Sequence, residues 1–343
     1  MVDLKRLTYL ELSSFVAELG EPKFRAKQIF SWLSKGICDF SEMTDLSKAT
    51  REKLKENSFI SKLEIERKLV SELDGTIKYL FRLDDGNCIE TVVMRYNHGL
   101  SVCISSQVGC RMGCGFCAST IGGLVRNLTA GEILNQVIFA QKDIGERISN
   151  IVMMGIGEPL DNFSNVMTFL ENVGDKNGLN IGYRHISIST CGLVPKIYEL
   201  AERNLQINLC ISLHAPDNET RDKIMPVNKK YRIEELIEAC REYIKKTTRR
   251  ITFEYSLISG VNDGEEEARK LSKLLSGMLC HVILIPVNKV EERGFTHGSK
   301  KSIYNFCKML NDRKINATVR RELGSDINAS CGQLRRKAMK EGK

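Results

Sequence analysis

The chain has 343 residues, of which 42% are hydrophobic, enough to bury a sizeable core in a main domain with a smaller one beside it. No apolar stretch is long enough to cross a bilayer, and the N-terminal residues MVDLKRLTYLELSS lack the apolar centre of a secretory signal peptide. Twelve cysteines without such a signal predict a cytoplasmic protein that uses clustered thiols for a metal or for catalysis, and they argue against a disulfide scaffold.

The formal charge of +8 is unevenly placed along the chain. A C-terminal tail, residues 333–343, carries five Lys and Arg residues against one Glu, and residues 245–250 form a second basic run. Such runs suit phosphate contacts, but a basic tail or helix end is often only a solvated surface. Composition alone therefore leaves nucleic-acid binding open.

Residues 1–58 predict a small helical accessory domain. Pro22 is expected in the first turn of a helix, because proline is favoured there. The apolar face of this helix consists of Ala26, Ile29, Phe30 and Leu33. The basic residues lie largely off that face, so the domain either packs only against the rest of the chain or also docks RNA.

Residues 59–98 predict a β-hairpin region. The alternating segment 76–83 leads through the turn 84–87, Asp-Asp-Gly-Asn, into the strand-like segment 88–94.

Beyond residue 99, strands alternate with amphipathic helices. The candidate strands are residues 102–106, 150–154, 185–190, 207–213, 251–257 and 281–286. The clearest helices are residues 129–144, with a capping box of Thr129 and Glu132, and residues 233–244. About six βα units predict an α/β fold, a partial (βα)6 barrel over residues 99–332 whose site lies at the carboxyl ends of its strands.

Three cysteines, Cys110, Cys114 and Cys117, follow the first of these strands at a spacing suited to a cubane iron–sulfur cluster. Four cysteines would ligate every iron, whereas three leave one iron open to an outside ligand. The alternative is structural zinc, which normally takes four Cys or His ligands, and the other nine cysteines show no second pair. Spacing favours the cluster without excluding zinc or inert thiols.

The ends of the later strands carry polar residues that a core does not need. They are Gly157, Glu158, Ser189, Ser212, His214 and Asn288. Each alone is a weak signal, but the topology would place them around one opening together with the cysteine loop.

The segment Cys110-x-x-x-Cys114-x-Phe116-Cys117 resembles the signature of radical S-adenosylmethionine (SAM) enzymes. Residues 103–110, 153–160 and 326–334 are similar to one branch, the dual-specificity adenine-C2 methyltransferases of 23S ribosomal RNA and transfer RNA. The resemblance implies a 4Fe-4S cluster held by the three cysteines and a SAM molecule bound to its open iron. The residues that match the SAM contacts of the family are Gly157, Glu158, Ser189, Ser212, Leu213, His214 and Asn288.

The resemblance also implies a radical mechanism. A radical is needed because C2 of adenine is electron-poor and resists simple methyl transfer. Cys331 matches the cysteine that one SAM methylates and that a radical from a second SAM then activates for addition to C2. Glu90 matches the base that removes the C2 proton, and Cys103 matches the thiol that releases the product by forming a disulfide with Cys331. A flavodoxin- or ferredoxin-type reductant is implied, and nothing demands more than a monomer.

Three alternatives remain open at the level of sequence. A sister family methylates adenine at C8 and shares the triad and both reactive cysteines, so only Pro159 and residues 286–288 favour C2. A methylthiotransferase would need a second cysteine triad upstream, where only scattered cysteines are available. A non-catalytic RNA-binding protein with a structural metal would not need polar residues at the strand ends.

Overall fold

The computed structural model describes residues 1–287 and 294–329. The helices in these residues are α1 (Tyr9–Glu18), α2 (Phe24–Ser34), α3 (Lys48–Asn57), α4 (Ala130–Ile144), α5 (Phe163–Gly174), α6 (Val194–Glu202), α7 (Asn218–Ile224), α8 (Ile233–Thr247), α9 (Glu265–Leu275) and α10 (Lys300–Asp312). Within that part of the chain, no helix combines the length and apolar character needed to span a membrane.

The strands of the same residues form one large sheet and two small ones. They are β1 (Val2–Asp3), β2 (Ser58–Phe59), β3 (Glu64–Val70), β4 (Ile77–Arg82), β5 (Cys88–Tyr96), β6 (Gly99–Cys103), β7 (Gln107–Gly109), β8 (Leu124–Asn127), β9 (Ile148–Met153), β10 (Ile186–Thr190), β11 (Asn208–Ser212), β12 (Ile251–Leu257), β13 (Cys280–Pro286) and β14 (Ala317–Val319).

The large sheet has ten strands in the order β14-β13-β12-β11-β10-β9-β6-β5-β4-β3. The neighbours from β6 through β9 to β14 are parallel. Helices α4 and α5, α6 and α8, and α9 and α10 pack in pairs, and their apolar faces join the strands in one core. The predicted α/β fold is confirmed, and each of the six predicted strands overlaps an observed one. The three-residue strand β14 was not predicted, because it is too short to show a period.

The hairpin region continues the main sheet, because β5 pairs antiparallel with β6 as well as with β4. Alternate residues of these strands point to opposite faces. Tyr79, Phe81 and Ile89 enter the core on one face. On the other face, Glu90 lies opposite Leu80, and Cys103 lies opposite Val92. The hairpin and β6 thus form an antiparallel wall that carries two of the predicted catalytic residues, Glu90 on β5 and Cys103 on β6.

The N-terminal helices α1 to α3 enclose a small apolar core of their own. Helix α2 begins at Phe24, two residues after the predicted start at Pro22, whose carbonyl accepts from the Arg25 amide in a preceding turn. Lys5 attaches this region to the main domain, since its buried ammonium donates to the Ser61 carbonyl at 3.0 Å and to Asn135 Oδ1 at 2.8 Å. The domain limits at residues 58, 98 and 332 stay predictions.

Candidate active site

The loop that carries Cys110, Cys114 and Cys117 runs between β7 and β8. Gly113 has φ +73°, a left-handed conformation that favours glycine over residues with a side chain. The Gly115 amide donates to the carbonyl of Ile224, the last residue of α7, at 2.8 Å. Sequence fixes the spacing of the thiols, and this contact with α7 fixes where the loop lies.

The three cysteines line one cavity of about 240 Å³. Five predicted SAM contacts line the same cavity, namely Gly157, Glu158, Ser189, Ser212 and His214. Leu213 is fully buried and does not line the cavity. Asn288 lies outside the described residues. The structure therefore brings together all but two of the residues predicted to hold the cluster and SAM.

The cysteine loop suits an anionic cluster better than a single metal ion. Within residues 1–287 and 294–329, no three His, Cys, Asp or Glu side chains converge as ligands of one ion. Cysteines around a cubane each bind a different iron, so they need not converge on one point. Burial raises the pKa of the Cys110 thiol to about 12 and raises that of Cys114 as well, so thiolates here require a strongly positive partner such as a metal.

Arg221 on α7 was missed by the sequence analysis and supports the same interpretation. Its guanidinium is fully buried and donates to the carbonyls of Leu213, Cys191 and Ser212 and to Asn228 Oδ1. These partners are all neutral, although a buried charge is normally paired. Arg221 and Cys114 also interact electrostatically, so an anionic cluster at the cysteine loop would supply the missing negative charge.

Glu158 is held by the backbone around it. Its Oε1 accepts from the Leu160 amide at 2.9 Å, and its Oε2 accepts from the Cys191 amide at 2.7 Å. Burial raises the pKa of this carboxyl, while the two amides oppose the shift. The preceding Gly157 has φ +111°, and a Cβ there would lie 2.6 Å from the Gln107 side chain. The backbone therefore requires glycine at position 157.

Glu254 on β12 is a second buried carboxylate in the cavity, and the sequence analysis missed it. Its Oε2 accepts from Ser189 Oγ and from Ser212 Oγ, each at 2.8 Å. Its Oε1 is buried without a hydrogen-bond partner. An unpaired buried carboxylate oxygen is costly, so the free oxygen points to a donor supplied by a ligand. The only sequence signal was a glutamate within an apolar strand.

His214 is held neutral in the wall of the cavity. It has φ +57°, and its Nδ1 accepts from the Ser256 amide at 2.9 Å, which places the ring proton on Nε2. Burial, assisted by the charge of Arg221, lowers the pKa of the imidazole to about 3. The ring meets Phe116 of the cysteine loop edge-on, with centroids 4.9 Å apart. His214 therefore offers a hydrogen-bond donor and carries no charge.

A larger cavity of about 410 Å³ adjoins the first and shares Met154, Gly155 and Arg320 with it. Glu90 and Cys103 both line this second cavity. Asn328 and Ala329, the last residues described before Cys331, line it too, while Cys331 itself lies outside the described residues. Burial raises the pKa of the Cys103 thiol, and the charge of Arg320 opposes that shift. Two predicted catalytic residues thus share one space beside the cysteine loop.

Comparisons with known proteins show the family of the chain. Residues 104–272 match the family model described as "Radical SAM superfamily", and residues 2–60 match that of the "Ribosomal RNA large subunit methyltransferase N-terminal domain". A protein of Alkaliphilus oremlandii is 59% identical over 98% of this chain and 98% of its own length. A Clostridioides difficile protein is 59% identical over 97% of each chain. Both are named "Probable dual-specificity RNA methyltransferase RlmN". The chain belongs to the RlmN family.

A solved structure of this kind has the same fold. The crystal structure of a radical SAM methyltransferase from Sphaerobacter thermophilus superposes with a TM-score of 0.93 at 45% identity, covering 97% of this chain and 99% of the other. The RlmN match over nearly the whole chain favours the dual-specificity methyltransferase over the adenine-C8 alternative. The individual roles of the site residues stay predictions.

Proposed function

We propose that this radical SAM methyltransferase transfers a methyl group to C2 of an adenine in 23S ribosomal RNA and in transfer RNA. The observation that carries the proposal is the pair of adjoining cavities, one lined by the cysteine triad and the other by Glu90 and Cys103. The 59% identity to relatives named as dual-specificity RNA methyltransferases supports the choice of substrate.

The lining of the smaller cavity supports the assignment of the cluster and SAM to it. Cys110, Cys114 and Cys117 would hold the cluster. When bound there, the cluster would supply the electron that cleaves SAM. Glu158 would accept from the ammonium of the methionine end, since each carboxylate oxygen can accept a further hydrogen bond. Glu254 would accept from SAM through the oxygen that no protein donor satisfies.

The larger cavity would receive the target adenine. A base inside folded RNA must be extruded before its C2 edge is accessible. Arg320 and Arg321 line the cavity and would attract the phosphate backbone. Glu90 would take the C2 proton, and Cys103 would attack the sulfur of Cys331 to release the product. The N-terminal helices and the tail at residues 333–343, which lies outside the described residues, are the further RNA contacts that we propose.

The proposed partners are 23S ribosomal RNA, transfer RNA and a flavodoxin- or ferredoxin-type reductant, with the enzyme acting as a cytoplasmic monomer. The decisive experiment incubates reconstituted, reduced enzyme with SAM and RNA and locates the new methyl group by mass spectrometry of the nucleosides. We expect 2-methyladenosine, and Cys331→Ala should abolish it while leaving the cluster in place. Methylation at C8 without C2 would refute the proposal.

Glu254→Gln should weaken SAM binding by about tenfold to a hundredfold, because a hydrogen bond to a charged group contributes about 1.5–3 kcal/mol. The measurement is equilibrium dialysis of SAM against reconstituted enzyme, with iron content as the check on the cluster. Glu235→Gln on the exposed face of α8 is the matched control and should bind as the wild type does. Unchanged affinity in Glu254→Gln would remove Glu254 from the SAM site.

A further inference from the structure

We propose that Lys78 is a positioning residue that holds the carboxylate of Glu90 and the loop leading to Cys331 at one fixed separation. The inference rests on the proposed function, because it assigns Lys78 to the step in which Glu90 accepts the C2 proton. Lys78 is on β4, its side chain is fully buried, and no sequence motif singled it out.

The ammonium group of Lys78 contacts both Glu90 and the loop that leads to Cys331. Lys78 Nζ lies 3.0 Å from Glu90 Oε2 and donates to the Asn328 carbonyl at 2.8 Å. Leu80 pairs with Glu90 and Lys78 pairs with Val92, so Lys78 and Glu90 are diagonal neighbours on the face that lines the larger cavity. The Glu90 carboxylate and the Asn328 carbonyl are therefore both within hydrogen-bonding distance of the Lys78 nitrogen.

The loop itself is docked on the turn between β3 and β4. Asp326 accepts from Ser71 Oγ at 2.6 Å and from the Glu72 amide at 2.9 Å. In return, the Gly324 amide donates to Asp74 Oδ2 at 2.9 Å. The β3–β4 turn thus contacts the loop at two points, and Lys78 adds a third contact at the Asn328 carbonyl.

Asn328 is close to Cys331 along the chain. Cys331 follows Asn328 by three residues, and three residues of fully extended chain span at most about 11 Å. A reacting carbon attached to the Cys331 sulfur and a base on Glu90 must meet the same adenine ring. Because a shift of about 1 Å can cost a hundredfold in rate, a single cation that holds both Glu90 and the Asn328 carbonyl matters to the chemistry.

The positive charge of Lys78 is needed at this position as well as its length. Glu90 is 3% exposed, and a charge that is buried to this extent is normally paired. Cys103 interacts electrostatically with both Lys78 and Glu90, so the ion pair lies beside the thiol that releases the product.

The test compares Lys78→Met, Lys78→Arg and Glu90→Gln with the wild type in a single-turnover assay. Denaturing gels measure the covalent RNA–enzyme adduct, and mass spectrometry measures 2-methyladenosine. We expect Lys78→Met to lower product formation at least about a hundredfold, and the adduct that does form should persist, as it should in Glu90→Gln. Lys78→Arg keeps the charge and should recover most of the product. Lys62→Met on the exposed segment before β3 is the control and should behave as the wild type does.

The double variant Lys78→Met/Glu90→Gln distinguishes positioning from a merely structural role. Residues that act as a unit are not additive, so the double variant should lose no more product than either single one. Additive losses, or wild-type product from Lys78→Met, would overturn the inference. If Lys78→Met does not fold, we expect the same result from Lys78→Gln, which retains a hydrogen-bond donor without the charge. A wild-type enzyme that makes no 2-methyladenosine would instead refute the proposed function.

Discussion

Replacing Cys114 with alanine should remove the iron–sulfur cluster and abolish the conversion of SAM to 5′-deoxyadenosine. The reason is that each thiolate of the triad would ligate its own iron, so the variant would leave one iron without its protein ligand. Cys114 is only 9% exposed, so water cannot readily replace the thiolate. The variant would also leave Arg221 buried without the anionic cluster that we propose beside it. Iron and sulfide content, the visible spectrum and the yield of 5′-deoxyadenosine measure the effect.

The matched control for Cys114 is Cys240→Ala, because Cys240 is an equally sheltered thiol on α8, within the main core and away from the cavity. This change removes a buried sulfur and should cost some stability, but the brown colour and SAM cleavage should remain. A Cys114→Ala enzyme that still binds a cluster and cleaves SAM would contradict the triad assignment. Zinc in both the wild type and the control would favour the structural-metal alternative.

Glu90→Gln should lower the formation of methylated RNA by about 10²–10⁴-fold and trap RNA bound covalently to the enzyme. Glutamine has nearly the shape of glutamate and can still accept from Lys78, so the hairpin should keep its register. It cannot accept the C2 proton, however, and the step after adduct formation should stall. Because Glu90 lines the larger cavity and not the one with the cysteines, SAM cleavage should continue.

Glu64→Gln is the control for Glu90, since Glu64 is an exposed carboxylate on β3 of the same antiparallel wall. Its product yield should equal that of the wild type. The assay is a time course of adduct on a denaturing gel alongside methyladenosine by mass spectrometry. If Glu90→Gln turned over at the wild-type rate, the base would have to be another group.

Local features of this fold could be predicted because the residues that determine them are close in the chain. The capping box at Thr129 and Glu132 forms as expected, with the Glu132 amide donating to Thr129 Oγ1 at 3.2 Å. The strand predicted at residues 251–257 has the same limits in the structure. The cysteine spacing and the glycine before Glu158 are equally local, and they already indicated the chemistry of the site.

The sequence by itself thus determined the alternation of strands and helices, the cysteine triad and the family resemblance. Only the tertiary structure decided that the hairpin joins the main sheet and that Glu254 faces the serines of two neighbouring strands. The same holds for Arg221 at the cysteine loop and for Lys78, whose carbonyl partner is 250 residues away. A polar residue in an apolar segment shows no partner in its own neighbourhood. Its burial, its charge balance and therefore its role depend on pairing between segments that only folding brings together.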